Sequence, residues 1–304
     1  MVAAIGISVV DIIMVMDGFR EGEGSYHCER LYTGGGGMAA TGLCAAARLG
    51  SQTRLLSRIG DDIHGRFVLE SLERFGVDTS GVVTVSGRST TVSIVFVDRN
   101  TGEKQFYSEH EKSAYIDPVE ADLSLLNGAN VLLIDGHWTE QALLGAKRAR
   151  DMGIPIVSDF KRMYRGLEPV FPYVDYHILP QFFAAEITGE KKPEKILRNL
   201  HSRYGGIPVV TSGKDGGACL LDGEVFRYRS FTAPSMVDST GAGDAFHGAF
   251  CHFLERGYDI GRCLELASAV GAMNCRAYGG RTALPDRGEL VDFLEANGAE
   301  SDMP

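Results

Sequence analysis

Val237-Asp238-Ser239-Thr240-Gly241-Ala242-Gly243-Asp244-Ala245-Phe246 is the stretch around which the rest of the chain is organised. Asp238 and Ser239 punctuate the end of an irregular segment. Gly241, Ala242 and Gly243 are small enough for backbone amides to crowd around a ligand. A helical pattern follows, with Phe246, Ala249, Phe250, Phe253 and Leu254 on one face and Gly257 as its stop. The glycines therefore sit at a helix N-terminus, where unpaired N–H groups and the macrodipole favour an anion. Asp244 falls in the first turn, beside that anion pocket, placed to take a proton from a group attacking the anion. Together these features predict a phosphoryl-transfer centre.

Outward from this stretch, apolar strand-like runs alternate with helical patterns. Val2 to Val10 reads as one buried strand ending at Asp11. A carboxylate at that end of a first strand either meets a ligand or caps a loop, and position alone does not choose. Gly34 to Gly37 opens a helix over Met38 to Leu49 that is small on most faces (Ala39, Ala40, Gly42, Ala45, Ala46, Ala47), with Gly50 as its stop. Such a helix packs very close to something. Strands are predicted at Thr53–Ile59, Thr90–Asp98, Glu103–Tyr107, Val131–Asp135, Ile154–Asp159, Tyr176–Leu179, Ile207–Thr211, Ala218–Leu221 and Val225–Tyr228. Helices are predicted after Asp62, over Glu140–Met152, near Ala184, over Pro193–Tyr204, from Ile260 to about Tyr278 and over Arg287–Ala296. This alternation implies an α/β fold with a mostly parallel sheet covered on both faces. With no internal repeat or long linker, residues 1–304 read as one domain. Segments of about 13–34 and 88–110 project from it as hairpin-like pieces.

The 304 residues are 44% hydrophobic and 23% charged, as in a soluble globular protein, and the 38 glycines follow no period. The net charge of -10 gives no chain-wide reason to bind nucleic acid or an anionic membrane. No apolar run reaches spanning length and the N-terminus has no basic leader region, so a cytoplasmic protein is expected. The six cysteines form no CxxC pair, and the eight histidines include no HExxH. Reduced thiols are expected rather than a disulfide or zinc framework.

Other strand ends carry polar groups. Thr211-Ser212-Gly213-Lys214-Asp215-Gly216-Gly217 is a glycine-rich turn with one cation, suited to a nucleotide phosphate. No Walker A loop and no dinucleotide fingerprint accompany it. Asp159-Phe160-Lys161-Arg162 places two cations after a strand, either facing phosphate or solvated. His137, after Asp135-Gly136, is either a substrate contact or a hydrogen-bonded loop histidine.

Asp238-Ser239-Thr240-Gly241-Ala242-Gly243-Asp244 resembles the D-T-x-G-A-G-D signature of the ribokinase-like (PfkB) carbohydrate kinases. Gly36-Gly37 with the small-residue helix ending Ala47-Arg48-Leu49-Gly50 resembles that family's other signature. Ile59-Gly60-Asp61-Asp62 with Gly65, Gly76-Val77-Asp78, and Gly279-Gly280 running to Pro285 match further landmarks, in family order across nearly the whole chain. The resemblance implies a three-layer α/β/α core with a small β-sheet lid over the sugar, at the two projecting segments. It implies that Asp244 is the general base and that the amides of Gly241, Ala242 and Gly243 form the anion hole. Asp11, Gly36 and Gly37 would hold sugar hydroxyls. Thr211, Gly213, Lys214 and Gly216 would line the ATP site, with the Ser268–Asn274 helix beside the adenine. ATP and magnesium are implied, an activating monovalent cation is left open, and a homodimer through lid aromatics such as Tyr26, Tyr32 and Phe106 is implied.

Three departures stand out. Thr41 takes the place of a sugar-gripping Asn. The magnesium-associated N-x-x-E motif is absent at Pro180–Phe183, leaving the metal contacts unassigned. Motif detail is most similar to the sulfofructose kinases, yet Ser25, Phe106 and His137 stand where that subgroup has its Lys, Asn and Arg. The expected activity is therefore an ATP-dependent kinase acting on a hydroxyl of a ketose or related sugar, with Thr41, Phe106 and His137 in the substrate site. The competing expectations are a non-catalytic sugar- or nucleotide-sensing module, a nucleoside kinase and a Rossmann dinucleotide enzyme.

Overall fold

Alternate residues of the first strand go to opposite faces of a sheet, as the extended backbone requires. Val2 and Ala4 join one hydrophobic core, Ala3 and Ile5 the other, and all four are fully buried. The computed structural model describes residues 1–19, 22–101, 103–108, 121–233 and 235–302. Its strands are β1 (Val2–Ile5), β2 (Val9–Met16), β3 (Arg30–Gly36), β4 (Thr53–Gly60), β5 (Val77–Val85), β6 (Val92–Asp98) and β7 (Lys104–Ser108). They continue with β8 (Val131–Ile134), β9 (Ile156–Asp159), β10 (Tyr176–Pro180), β11 (Ile207–Thr211), β12 (Gly217–Leu221) and β13 (Glu224–Tyr228). The helices are α1 (Met38–Arg48), α2 (Ile63–Arg74), α3 (Thr139–Asp151), α4 (Gln181–Thr188), α5 (Pro193–Tyr204), α6 (Ala242–Glu255), α7 (Ile260–Asn274) and α8 (Arg287–Ala296).

Among the described residues nine strands form the large sheet in the order β13-β12-β11-β10-β9-β8-β1-β4-β5. Its pairings are parallel from β11 to β5, and the β12–β13 hairpin adds antiparallel pairings at one end. Helices α1, α2, α6, α7 and α8 pack on one face, and α3, α4 and α5 on the other. This is the expected three-layer ribokinase-like α/β arrangement. Strand order reverses where β1 sits between β8 and β4, and an open α/β sheet places its ligand crevice at such a point. Among the described residues no helix is long and apolar enough to cross a membrane.

Among the described residues four strands form a second sheet in the order β3-β2-β6-β7. Ile13, Val15, Val95 and Val97 make its own small core, and Tyr32 stacks on Tyr278 with ring centroids 5.2 Å apart. Residues 20, 21, 102, 109 and 110 of the projecting segments lie outside the described residues.

The apolar run Val2–Val10 corrects the single-strand expectation. It is two strands in two sheets, broken at Gly6-Ile7-Ser8, so Asp11 lies inside β2 and not at the end of β1. The break is set from far away. The buried Asp135 carboxylate accepts the Ile7 N–H at 2.7 Å and packs where a side chain at Gly6 would project. Strand β5 is also additional to the pattern read from sequence. It is an edge strand whose run Asp78-Thr79-Ser80-Gly81 is polar, and its register with β4 shifts between Arg54 and Leu56. Helix α7 stops at Asn274, short of Tyr278, because Cys275 closes its last turn.

Candidate active site

Helix α6 begins where Gly241 adopts φ 73°, a left-handed conformation that disfavours side chains. A side chain at Gly241 would also strike the Gly280 backbone. The irregular segment before α6 is braced by Asp238. Its Oδ1 accepts from the Thr240 amide at 2.9 Å and hydroxyl at 2.8 Å, and its Oδ2 accepts from the Gly279 amide at 3.0 Å. Lys104 reaches over from β7 of the small sheet. Its Nζ lies 2.6 Å from Asp238 Oδ1 and donates to Ser239 Oγ at 2.9 Å and Thr240 Oγ1 at 3.0 Å. Burial pushes the Asp238 carboxyl up, but the Lys104 charge and these hydrogen bonds outweigh burial and hold it below its usual range.

Asp244 is buried in the first turn of α6, with the Lys161 ammonium 2.6 Å from its Oδ1. Lys161 follows the C-terminal end of β9, two residues after Asp159. Burial works against the Lys161 charge, yet Asp244 and Asp159 overcome it and raise the ammonium's pKa above its usual value. Asp159 is fully buried and, among the described residues, neither oxygen has a hydrogen-bond partner, while His247 Nδ1 is 3.4 Å away. Burial raises its pKa despite the opposing fields of His247 and Lys161.

A cavity opens beside the start of α6. Thr211, Gly213, Lys214 and Gly216 line it from the β11–β12 turn, Ala242 and Gly243 from α6, and Ser268 from α7. Phe231, Ala233, Met236 and Ala272 give it apolar walls. Seven residues singled out from sequence thus meet around one space. Asn274 does not line it. Asn274 is buried and its Nδ2 donates to Gly280 O at 2.9 Å and Thr240 O at 3.4 Å, which braces the loop instead.

A second cavity lies between β3, α2 and the Tyr278–Thr282 loop, and Asp11, Gly34, Gly35, Ser71, Arg74 and Arg281 are among its lining. Burial pushes the Asp11 carboxyl up to about 7, helped by the charges of Asp244 and Asp238 and opposed by Arg281 and Lys161. Gly36 backs directly onto the Asp11 carboxylate, and Gly37 (φ 95°) onto the Ile7 carbonyl. Their close approaches are to the protein's own groups. Thr41 lines neither cavity. It is buried, and its hydroxyl accepts from Arg281 Nε at 3.1 Å. Arg281 also donates to Ser71 Oγ at 3.4 Å and Gly36 O at 2.5 Å, tying α1, α2 and β3 together.

His137 lines neither cavity either. Burial pushes the Tyr164 phenol up to about 12, against the Arg162 charge, and its oxygen is hydrogen-bonded to His137 Nε2 at 2.5 Å. On the other side of the ring, Nδ1 lies 3.3 Å from Asp135 Oδ1. Asp135 in turn accepts the Ala39 amide at 3.2 Å in the first turn of α1. Phe106 is on the exposed side of β7, and Ser25 is exposed between β2 and β3. Lys104, Lys161, Arg281 and Asp135 carry no site role in the sequence reading. Only the Asp159–Arg162 strand end hinted at one of them, Lys161.

A profile of the pfkB family carbohydrate kinases matches residues 1–287. The chain belongs to that family. A 5-dehydro-2-deoxygluconokinase of Shouchella clausii is 27% identical over 282 residues, covering 86% of each chain. A nucleoside kinase of Methanothermobacter thermautotrophicus is 26% identical over 309 residues, covering 96% of this chain and 95% of that one. A crystal structure from Agrobacterium tumefaciens, provisionally assigned as a ribokinase, superposes with a TM-score of 0.91 at 26% identity, covering 98% of this chain and 99% of that one. The protein is thus a phosphotransferase, a sugar or nucleoside kinase. The family is supported, the sulfofructose kinase subgroup is not: none of these three proteins carries that name.

Proposed function

We propose that this protein transfers the γ-phosphate of ATP to a hydroxyl of a ketose or related sugar. The observation that carries this reading is the position of Asp244. It sits in the first turn of α6, where Gly241 turns the chain and Ala242 and Gly243 edge the cavity. In the proposed reaction the amides of Gly241, Ala242 and Gly243 receive charge spreading over the phosphoryl oxygens. Asp244 accepts the acceptor's proton as its oxygen attacks in line. Thr211, Gly213, Lys214 and Gly216 hold the nucleotide, with Ser268 near the base. Asp11 faces the acceptor from the small-sheet side. Its carboxyl titrates near neutrality, so it can offer either an oxygen or a proton to a sugar hydroxyl.

The small sheet acts as a lid in this proposal. Closing it keeps water from taking the phosphoryl group. Leu31, Phe106 and Tyr107 are exposed on it, which supports pairing of two chains through the lids. A monomer by light scattering at micromolar concentration refutes that pairing. Among the described residues no three His, Cys, Asp or Glu side chains converge to hold a metal. In this proposal magnesium enters with the nucleotide, where it would offset the phosphate charge.

The nucleoside kinase relative, matched over nearly the full chain, keeps a nucleoside acceptor as the second reading. An ADP-release screen against ketoses, sulfosugars, aldonates and nucleosides separates the two. Asp244→Asn lowers kcat by about 10³-fold while ATP still binds. Wild-type turnover in that variant removes Asp244 as the base, and sugar-independent ADP release removes the sugar reading.

A further inference from the structure

The groups around Asp244 are mostly acidic. Asp11, Asp159 and Asp238 all lie close enough to one another or to Asp244 and Lys161 for their charges to be felt. A phosphoryl group bearing negative charge meets repulsion there unless a cation answers it. Among the described residues three cations stand near. Lys104 is held by three oxygens of the Asp238–Thr240 segment, and Arg281 by Thr41, Ser71 and Gly36. Lys161 differs. Among the described residues its ammonium donates only to Asp244, and its side chain is 39% exposed.

Given the phosphoryl-transfer role assigned to Asp244, we propose that Lys161 is a catalytic residue that exchanges Asp244 for the oxygens of the transferring phosphoryl group. An acceptor hydroxyl bonded to Asp244 lies about 2.7 Å from it. The phosphorus it attacks is about 3.5 Å further on. An ammonium already touching Asp244 reaches the phosphoryl oxygens by a change of side-chain rotamer. Before the reaction Lys161 fixes one oxygen of Asp244, leaving the other for the hydroxyl. During the step the acceptor oxygen bonds to phosphorus as the bond from phosphorus to the ADP oxygen breaks. The hydroxyl proton passes to Asp244, which becomes neutral, and Lys161 stays an ammonium throughout. Asp159, buried two residues before it and without a hydrogen-bond partner among the described residues, lies in the field of that ammonium when Asp244 no longer carries charge.

The test compares Lys161→Met and Lys161→Arg with the wild type. Calorimetry measures binding of magnesium–ADP alone, and of magnesium–ADP with aluminium fluoride plus the acceptor found in the screen. Wild type gains at least tenfold in affinity from the fluoride. Lys161→Met binds magnesium–ADP within about threefold of wild type, loses that gain, and falls at least 100-fold in kcat with the KM for ATP little changed. Lys161→Arg recovers part of both. A Met variant that keeps the gain or the turnover overturns the assignment while leaving the kinase reading intact. A Met variant that raises only the KM for the acceptor makes Lys161 a substrate contact and overturns it too. Wild-type turnover in Asp244→Asn instead strikes the underlying assignment of the base.

Discussion

The Gly42–Gly248 contact between α1 and α6 provides a quantitative test of how tightly the site is mounted. Gly42 and Gly248 face each other across the two helices. A Cβ on Gly248 would lie 2.5 Å from the carbonyl carbon of Gly42 and 2.7 Å from its Cα, and closer still to its oxygen. Ordinary carbon–carbon contact is about 3.5 Å, so Gly248→Ala forces the helices apart by about 1 Å. The obstacle is backbone and cannot rotate away. Overpacking of that kind costs about 3 kcal/mol, and the better helix propensity of alanine returns about 1 kcal/mol. The net loss of about 2 kcal/mol lowers the melting temperature by about 4 °C in a chain of this size. Asp244 lies one turn earlier on the same face, so the shift also reaches the proposed base. A displacement of about 1 Å there costs about 100-fold in kcat. Gly243→Ala is the counterpart. Among the described residues a Cβ at Gly243 meets no atom within 4 Å, yet Gly243 lines the proposed nucleotide cavity. That variant gains up to about 1 kcal/mol in stability and loses activity, because its methyl enters the proposed anion hole. Calorimetric melting and steady-state kinetics on both variants decide the matter. Gly248→Ala melting at or above the wild type, with unchanged kcat, refutes the argument that the glycine pair sets the helix spacing.

Asp11, with its carboxyl near 7 in the folded protein against 3.8 as the ordinary value, binds its proton more tightly folded than unfolded. Stability attributable to it therefore falls as pH rises from about 4 to about 7 and is flat above, by at most about 4 kcal/mol. In urea titrations at pH 4.5 and pH 8.0, Asp11→Asn gains on the wild type at the higher pH, and a pH-independent difference contradicts the burial argument. Lys104→Met removes the ammonium from Asp238, a carboxylate with no exposed side-chain surface, at a cost of about 3 kcal/mol. Hydrogen exchange of the peptide over residues 238–245 then quickens and kcat falls, whereas unchanged exchange shows that the small sheet does not brace this loop.

The local features were readable because neighbouring residues determine them. The limits of α5, α8 and β11 follow from Pro193, Tyr204, Arg287, Ala296 and the run Ile207–Thr211, as expected from periodicity and stop signals. The start of α6 was legible because small residues and a first-turn acid are a local pattern. The break in Val2–Val10 was not, because Asp135 imposes it from 128 residues away. Strand β5 escaped because an edge strand needs no continuous apolar run.

By itself, then, the sequence determined the alternation of strands and helices, the placement of Gly241–Asp244 at a helix N-terminus, and the family. Those properties depend on periodicity, turn residues and backbone geometry within a few positions. Only the tertiary structure decided which charges surround Asp244. Lys161 is 83 residues from it along the chain, and Lys104 meets Thr240 across 136. It also gave Thr41, expected from sequence to meet the sugar, a partner in Arg281, 240 residues away. Electrostatic pairing acts over a few ångströms of space with no reference to chain separation, so it is written in the packing of the two sheets rather than in any local run of residues.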